Sequence, residues 1–212
     1  YTASGTSLTL TSATSASDDM YCVYLGKAVQ TVNPPNSSVG TSQLDSSLDF
    51  SSKTITLADN MKNTPAFYAY MNANQSVSNS TWTKAQLNAE VFDTDSAFDT
   101  SNYRFTVPSG KAGKYFFTWS IYLYQPTVSN MRVVESMLYL NGSRYIGGSF
   151  NGRDTYFRTA SSSSSAFLDL SVGDYVELYG AVDTVDNSSQ ASFYGGDRAT
   201  FLTGYRVTSW VV

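Results

Sequence analysis

The chain contains no histidine in its 212 residues, which removes the usual general base and the commonest metal ligand together. Serine–histidine–aspartate and cysteine–histidine mechanisms are thereby excluded. The single cysteine, Cys22, rules out a disulfide within the chain, so the protein is either intracellular or stable without covalent staples. Charge is scarce too: 14% of residues are charged and the net charge is −4. A nucleic-acid partner needs a basic face that displaces counterions, and no electrostatic basis for one exists here. No apolar run reaches the roughly 18 residues of a membrane helix, so no membrane insertion is expected. Neither Met nor a signal-like segment stands at the start, where Tyr1 is found, and the chain is expected to be the end of a longer polypeptide.

What is abundant is aromatic and β-prone. There are 16 Tyr, 12 Phe and 3 Trp among many Ser and Thr residues, a composition suited to pleated strands and common in extracellular and viral β-structures. Residues 1–32 read as a small strand unit, in which "SLTLT" alternates Leu8 and Leu10 with threonine and "MYCVYLGKAVQTV" is a second run. Cys22 there reads as a small buried hydrophobe. Residues 33–65 read as a linker and connector, with "NPPNSSVGTSQLDSS" lacking any period and Ile55 and Leu57 alternating in a short strand.

From Ala66 to Val212 short strands follow one another. "KYFFTWSIYLY", 114–124, puts Tyr115, Phe117, Trp119, Ile121 and Leu123 on one face and Phe116, Thr118, Ser120, Tyr122 and Tyr124 on the other. Aromatics on both faces of one strand predict burial on both, by the core and by a partner subunit. Asn141-Gly142 and Val172-Gly173-Asp174 mark hairpin turns. "TKAQLNAEV" has helical colour but is short and uncapped. The run "SSSSS", 161–165, reads as a flexible entry to a strand beginning near Ser164. Many short strands with turn signals predict an all-β sandwich or jelly roll.

Catalytic constellations are thin. A glycosidase needs two carboxylates of opposed pKa about 5 to 10 Å apart, and the three glutamates, Glu90, Glu135 and Glu177, suggest no such pair. Glu135 and Glu177 fall inside strand patterns where they would cross-pair with Arg or Lys. The loop "FDTDSAFDTSN" offers Asp93, Asp95 and Asp99 to calcium, but Phe98 and Arg104 stand where an EF-hand needs glycine and glutamate. A solvated turn, with Asp and Asn capping backbone donors, is expected instead, and likewise for Asp183 and Asp186. The loops 147–158 and 192–198 mix Gly, aromatic, amide, Asp and Arg residues. Such mixtures suit saccharide or protein recognition. Asn151, Arg153, Asp154, Tyr156, Tyr194, Asp197 and Arg198 are the candidate receptor contacts.

Several of these motifs occur in a known order. Ala66-Phe67-x-Ala69, Phe98-Asp99, Arg104-Phe105-Thr106-Val107-Pro108 and Gly113-Lys114-Tyr115-Phe116-Phe117 come first. Leu138-x-Leu140-Asn141-Gly142, Leu168-x-Leu170-x-x-Gly173-Asp174-x-Val176-x-Leu178 and Leu202-Thr203-Gly204-Tyr205 follow. Residues 66–209 thereby resemble the globular head domain of complement component one q. The resemblance implies a ten-stranded, trimeric, tumour-necrosis-factor-like jelly roll without enzymatic activity. It implies a core and trimer interface that include Phe67, Phe105, Tyr115, Phe117, Trp119, Tyr122, Tyr124, Leu178 and Tyr205. Some members hold calcium near the trimer axis, and Asp154 is the one acid placed to be a ligand, so calcium is the only cofactor considered. The pattern departs at Tyr103, where glycine is usual, at Leu202, where Phe is expected, and in a Pro108–Gly113 turn about two residues longer. No collagen-like Gly-x-y repeat precedes the domain in this sequence, so the complement setting is not supported.

The N-terminal part, with Val39, Thr41 and Leu44 in its linker, resembles modules of bacteriophage tail fibres. That resemblance implies a virion appendage whose N-terminal part meets other virion proteins and whose trimeric tip binds a host-surface glycan or protein. A secreted trimeric ligand or adhesin, and a purely structural capsid or tail decoration, are the alternatives.

Overall fold

The computed structural model describes residues 1–5, 7–19, 54, 56–57, 61–152, 154–187 and 191–207. The chain divides into two compact units, Tyr1–Thr54 and Ile55–Val212. In the first, β1 (Thr2–Ser4) and β2 (Ser7–Thr9) form an antiparallel hairpin with Thr2 opposite Thr9. Leu8 and Leu10 are exposed on it. Cys22, the run 20–32, the residues Val39, Thr41 and Leu44, and most of the connector lie outside the described residues.

Among its described residues the second unit carries thirteen strands. These are β3 (Ala66–Tyr70), β4 (Gln75–Ser76), β5 (Thr83–Lys84), β6 (Ala89–Asp93), β7 (Phe98–Asp99), β8 (Arg104–Thr106), β9 (Gly113–Tyr124), β10 (Met131–Leu140), β11 (Ser143–Asn151), β12 (Thr159–Leu170), β13 (Tyr175–Thr184), β14 (Ser192–Phe193) and β15 (Phe201–Arg206). Eight of them make the frame. Sheet one runs β3-β15-β9-β12 and sheet two runs β8-β13-β10-β11. Numbered along the chain, the orders are 1-8-3-6 and 2-7-4-5, which is the double Greek key of a jelly roll. The short strands extend its edges. "TKAQLNAEV" forms β5 and most of β6 rather than a helix, because pairing with β13 and β3 satisfies its backbone where a lone turn would not.

Packing follows from alternation. On β9, Tyr115, Phe117, Trp119, Ile121 and Leu123 are fully buried between the sheets, while Phe116, Thr118, Tyr122 and Tyr124 are half-buried on the outer face. The inward set meets Phe67, Phe98 and Phe105, with the Phe67 and Phe105 rings stacked at 4.9 Å and Phe105 edge-on to Phe117 at 5.7 Å. Leu178, Leu138 and Leu202 complete the same core. Each such side chain contributes about 1.5–3 kcal/mol through burial.

The serine run is not a flexible entry. All of it lies within β12, which pairs with β9 from Thr159↔Tyr124 to Leu170↔Gly113. Serine there provides small polar groups that meet a buried indole. Trp119 Nε1–H donates to Ser136 Oγ at 3.0 Å, Ser136 and Ser162 hydroxyls meet at 2.9 Å, and Ser162 Oγ donates to the Gly148 carbonyl at 2.9 Å. The relay satisfies every polar atom that Trp119 brings into the core.

The turn motifs have physical explanations as well. Asn141 (φ +52°) and Gly142 (φ +78°) form the two-residue turn between β10 and β11. Asn141 Nδ2 donates to Asp174 Oδ1 at 2.9 Å, and its Oδ1 accepts from Tyr175 N–H at 3.0 Å. The hairpin tip is thus clasped to the β12–β13 turn, and the Asn141 contact, followed by the Ser171 N–H, holds the Asp174 carboxyl below its ordinary range. Tyr103 replaces glycine at a φ of +54°, a left-handed position that explains why glycine is usual there. In the lengthened turn, the Lys111 carbonyl accepts from Tyr115 Oη–H at 2.6 Å.

Two outcomes are expected. A Cβ on Gly204 would stand 2.5 Å from Phe117 Cδ1 and 2.9 Å from the Phe116 carbonyl, so Gly204→Ala should cost about 1–3 kcal/mol by overpacking, read as a lower urea midpoint. Burial pushes the Tyr115 hydroxyl up to about 12 from 10.0, with Arg206 opposing and Asp95 reinforcing. Its folded value exceeds its unfolded one, so its contribution is complete below pH 10 and is lost between about pH 10 and 12, at up to about 1.4 kcal/mol per pH unit. Urea midpoints measured from pH 8 to 12 should fall in that window, and less steeply in Tyr115→Phe.

Candidate functional site

Three surfaces hold the residues that sequence patterns single out. The first is the outer face of sheet one. Phe116 packs on Phe167 at 5.0 Å and on Tyr205 at 5.7 Å, joining β9, β12 and β15. Tyr68 stacks on Phe201 at 5.3 Å, and Tyr122 meets Tyr194 at 5.5 Å. Phe167 is 67% exposed and Tyr205 41% exposed. The aromatics arise from the off-core positions of strands whose other positions are apolar, so the face spans the sheet. Of the nine expected core and interface residues, Phe67, Phe105, Tyr115, Phe117, Trp119 and Leu178 lie in the core, and Tyr122, Tyr124 and Tyr205 lie on this outer face. Burial raises the Tyr68 hydroxyl above its ordinary range, partly offset by Arg198.

The second surface is the end of the sandwich where β9 stops. Thr159 and Ser192 flank Tyr124 on either side, so the loop around 152–158 lies at that end, whereas 194–200 bulges from the sheet between the residues opposite Tyr122 and Ser120. Asn151 closes β11, Asp154 and Tyr156 are exposed beyond it, and Arg153 lies outside the described residues. Asp197 (φ +54°) and Arg198 (φ +55°) form a tight left-handed pair, with the Arg198 guanidinium 5.3 Å from the Tyr70 ring. Tyr194 and Arg198 therefore lean onto the aromatic face, while Asp154 and Tyr156 stand apart from it on the β11–β12 side. The strand after this loop begins at Thr159, earlier than the sequence suggests. Asp154 alone does not fit calcium, which takes six to eight oxygen ligands. Among the described residues no three potential metal ligands cluster.

The acidic loop spends its carboxylates on the backbone. Asp93 Oδ2 accepts from Phe98 N–H at 2.7 Å, and Asp99 Oδ1 accepts from Ser101 and Asn102 N–H at 2.8 and 3.1 Å. The Asn102 side chain, the largest influence, lowers the Asp99 carboxyl, and backbone donors add to it.

The third surface is the outer face of sheet two. There Glu177 pairs with Lys84 at 2.5 Å, and both oxygens of Asp183 bind Arg132, at 2.6 and 3.2 Å. Tyr139 and Tyr179 stack at 3.8 Å beside them. Asp183 is thus committed to a guanidinium and forms no free acid–base couple with Glu135. Trp82 also lies here, beneath Arg144 at 4.5 Å. No motif falls on Trp82, and the one signal available was a lone tryptophan between two turn-rich stretches.

No family model and no curated protein matches the chain. Its structure is similar to that of the globular domain of a zebrafish complement 1qA protein, with 14% identity, 68% of this chain and 97% of that chain covered, and a TM-score of 0.47. It is similar to murine APRIL, with 12% identity, 67% and 99% covered and a TM-score of 0.47. Eiger TNF from S. frugiperda gives 13% identity, 69% and 94% covered and a TM-score of 0.47.

Proposed function

We propose that the chain is a non-enzymatic recognition head that works as a homotrimer, carried on a virion fibre such as a phage tail fibre and adsorbing to a host-surface glycan or protein. The observation that carries this reading is the aromatic outer face of sheet one. Contiguous exposed aromatics are unfavourable in water and mark an association surface. Threefold-related copies would cover that face and leave the loops at the end of β9 displayed around an axis. Three weak sites then act together through avidity, and loops rather than strands carry the specificity.

The virion setting rests on the resemblance of the N-terminal stretch to tail-fibre modules, with those residues joining the head to other virion proteins. Non-enzymatic action fits the lack of histidine and the commitment of Asp183 and Glu177 to basic partners.

Light scattering on the full chain should give three times the 23.1 kDa of one copy. Phe116→Asp combined with Tyr205→Asp changes only side chains of the outer face, so each copy should keep its fold while the assembly falls to a monomer. Adsorption to cells or to immobilised surface glycans should then weaken by about 100-fold or more as avidity is lost. A wild-type monomer, or a double variant that stays trimeric, refutes this interface. Undiminished adsorption by the monomer refutes the avidity argument.

A further inference from the structure

A pocket of about 260 Å³ opens on the outer face of sheet two, on the opposite side of the sandwich from the aromatic face. It forms where the β4–β5 segment folds against β10 and β13. Ser80 N–H donates to the Val182 carbonyl at 2.7 Å, which fixes that segment at the strand edge. Val133 and Ala181 supply an apolar floor, with Val182 turned into the core beneath it, and Trp82, Glu135, Asp183 and Ser80 supply the walls. Pockets for drug-sized ligands run to roughly 300–1,000 Å³, so this volume suits one small ring.

The charges around the pocket select what that ring can be. Glu135 makes no hydrogen bond or ion pair among the described residues, and Asp183 presents a second carboxylate, shared with Arg132. Two carboxylates repel an anionic ligand. A cation is held by Glu135 alone, because guanidinium groups already engage Trp82 and Asp183, the other two groups that would attract it. Arg144 lies over the Trp82 ring and Arg132 lies on Asp183. A neutral polyol meets neither obstacle. Its C–H face packs on Val133 and on the part of the Trp82 indole that Arg144 leaves uncovered, and its hydroxyls donate to Glu135, a carboxylate with no partner among the described residues.

We propose that this pocket binds a single neutral pyranose residue, with Trp82 as the apolar wall and Glu135 as the hydroxyl acceptor. The proposal deepens the recognition reading, placing a carbohydrate subsite on the flank of the head rather than at the loops around β9's end. Such a site stays accessible when the aromatic face of sheet one is covered by other copies.

Saturation-transfer difference NMR on the full chain tests it, using the methyl pyranosides of glucose, galactose, mannose and N-acetylglucosamine. N-acetylneuraminic acid and butylammonium serve as the charged probes. At least one neutral pyranoside should receive saturation on its ring C–H protons, and neither charged probe should. Glu135→Gln keeps the size and shape of a solvent-facing side chain, so its melting temperature should be unchanged while pyranoside affinity falls at least tenfold. Trp82→Ala should abolish transfer, and Glu135→Gln decides the matter if Trp82→Ala fails to fold. No transfer to any neutral pyranoside, equal affinity in Glu135→Gln, or stronger binding of butylammonium overturns the pocket's assignment. Adsorption by Glu135→Gln equal to wild type would show that the subsite is not the one used for attachment, leaving the recognition reading in place. Pyranoside binding without any adsorption by the wild type would keep the pocket and remove the attachment role.

Discussion

Everything in the head depends on β9 being paired along both edges. β12 runs beside it for twelve residues, and β15 and β14 share its other side. A strand held so completely cannot shift register or rotate. Its alternate side chains are therefore committed, one set to the core and the other to the outside of sheet one. The inner set collects Phe67, Phe98 and Phe105 into one aromatic cluster. The outer set gathers Phe167 and Tyr205 around Phe116, and Tyr194 beside Tyr122 and Tyr124. The same strand thus builds the core with one set of side chains and the aromatic outer face with the other.

With so few charges available, several of the carboxylates described above have a fixed structural duty. Asp93 and Asp99 hold their own loop, Asp174 clasps a neighbouring hairpin, Glu177 takes Lys84 and Asp183 takes Arg132. Glu135, like Glu90, Asp154 and Asp197, makes no such pair among the described residues. A carboxylate beside an indole and above an apolar floor gives the flank of sheet two its chemical character.

Much of this was legible in the sequence because it depends on local rules. Period-two alternation separated the two faces of 114–124, and Asn141-Gly142 and Gly173-Asp174 marked the turns where the structure has positive φ. The all-β jelly roll followed from ordered motifs of this kind. The misreadings concern interactions between segments far apart in the chain. Ser161 to Ser165 carry no period or hydrophobicity of their own, and their place in β12 is dictated by the partner strand and by the indole of Trp119, 43 residues before Ser162. "TKAQLNAEV", too short and uncapped to predict a helix, is no misreading, and its strands are set by β13 and β3. Trp82 and Glu135 are 53 positions apart in sequence, and only the fold places them around one cavity.

The serine run has a further consequence for how β12 assembles. Five identical residues would match β9 almost as well two places out of step, since a two-residue slide returns the same side chain to the same face. Leu168 and Leu170, both 2% exposed, and Phe167 against Phe116 break that degeneracy at one end, and Arg158, hydrogen-bonded to Gln125 and Pro126, breaks it at the other. Alignment is thus anchored on both sides of the run, by the leucines at one end and by Arg158 at the other. Length changes within the run are accordingly quantised: gaining or losing one serine inverts every side chain beyond it, whereas gaining or losing a pair preserves both faces.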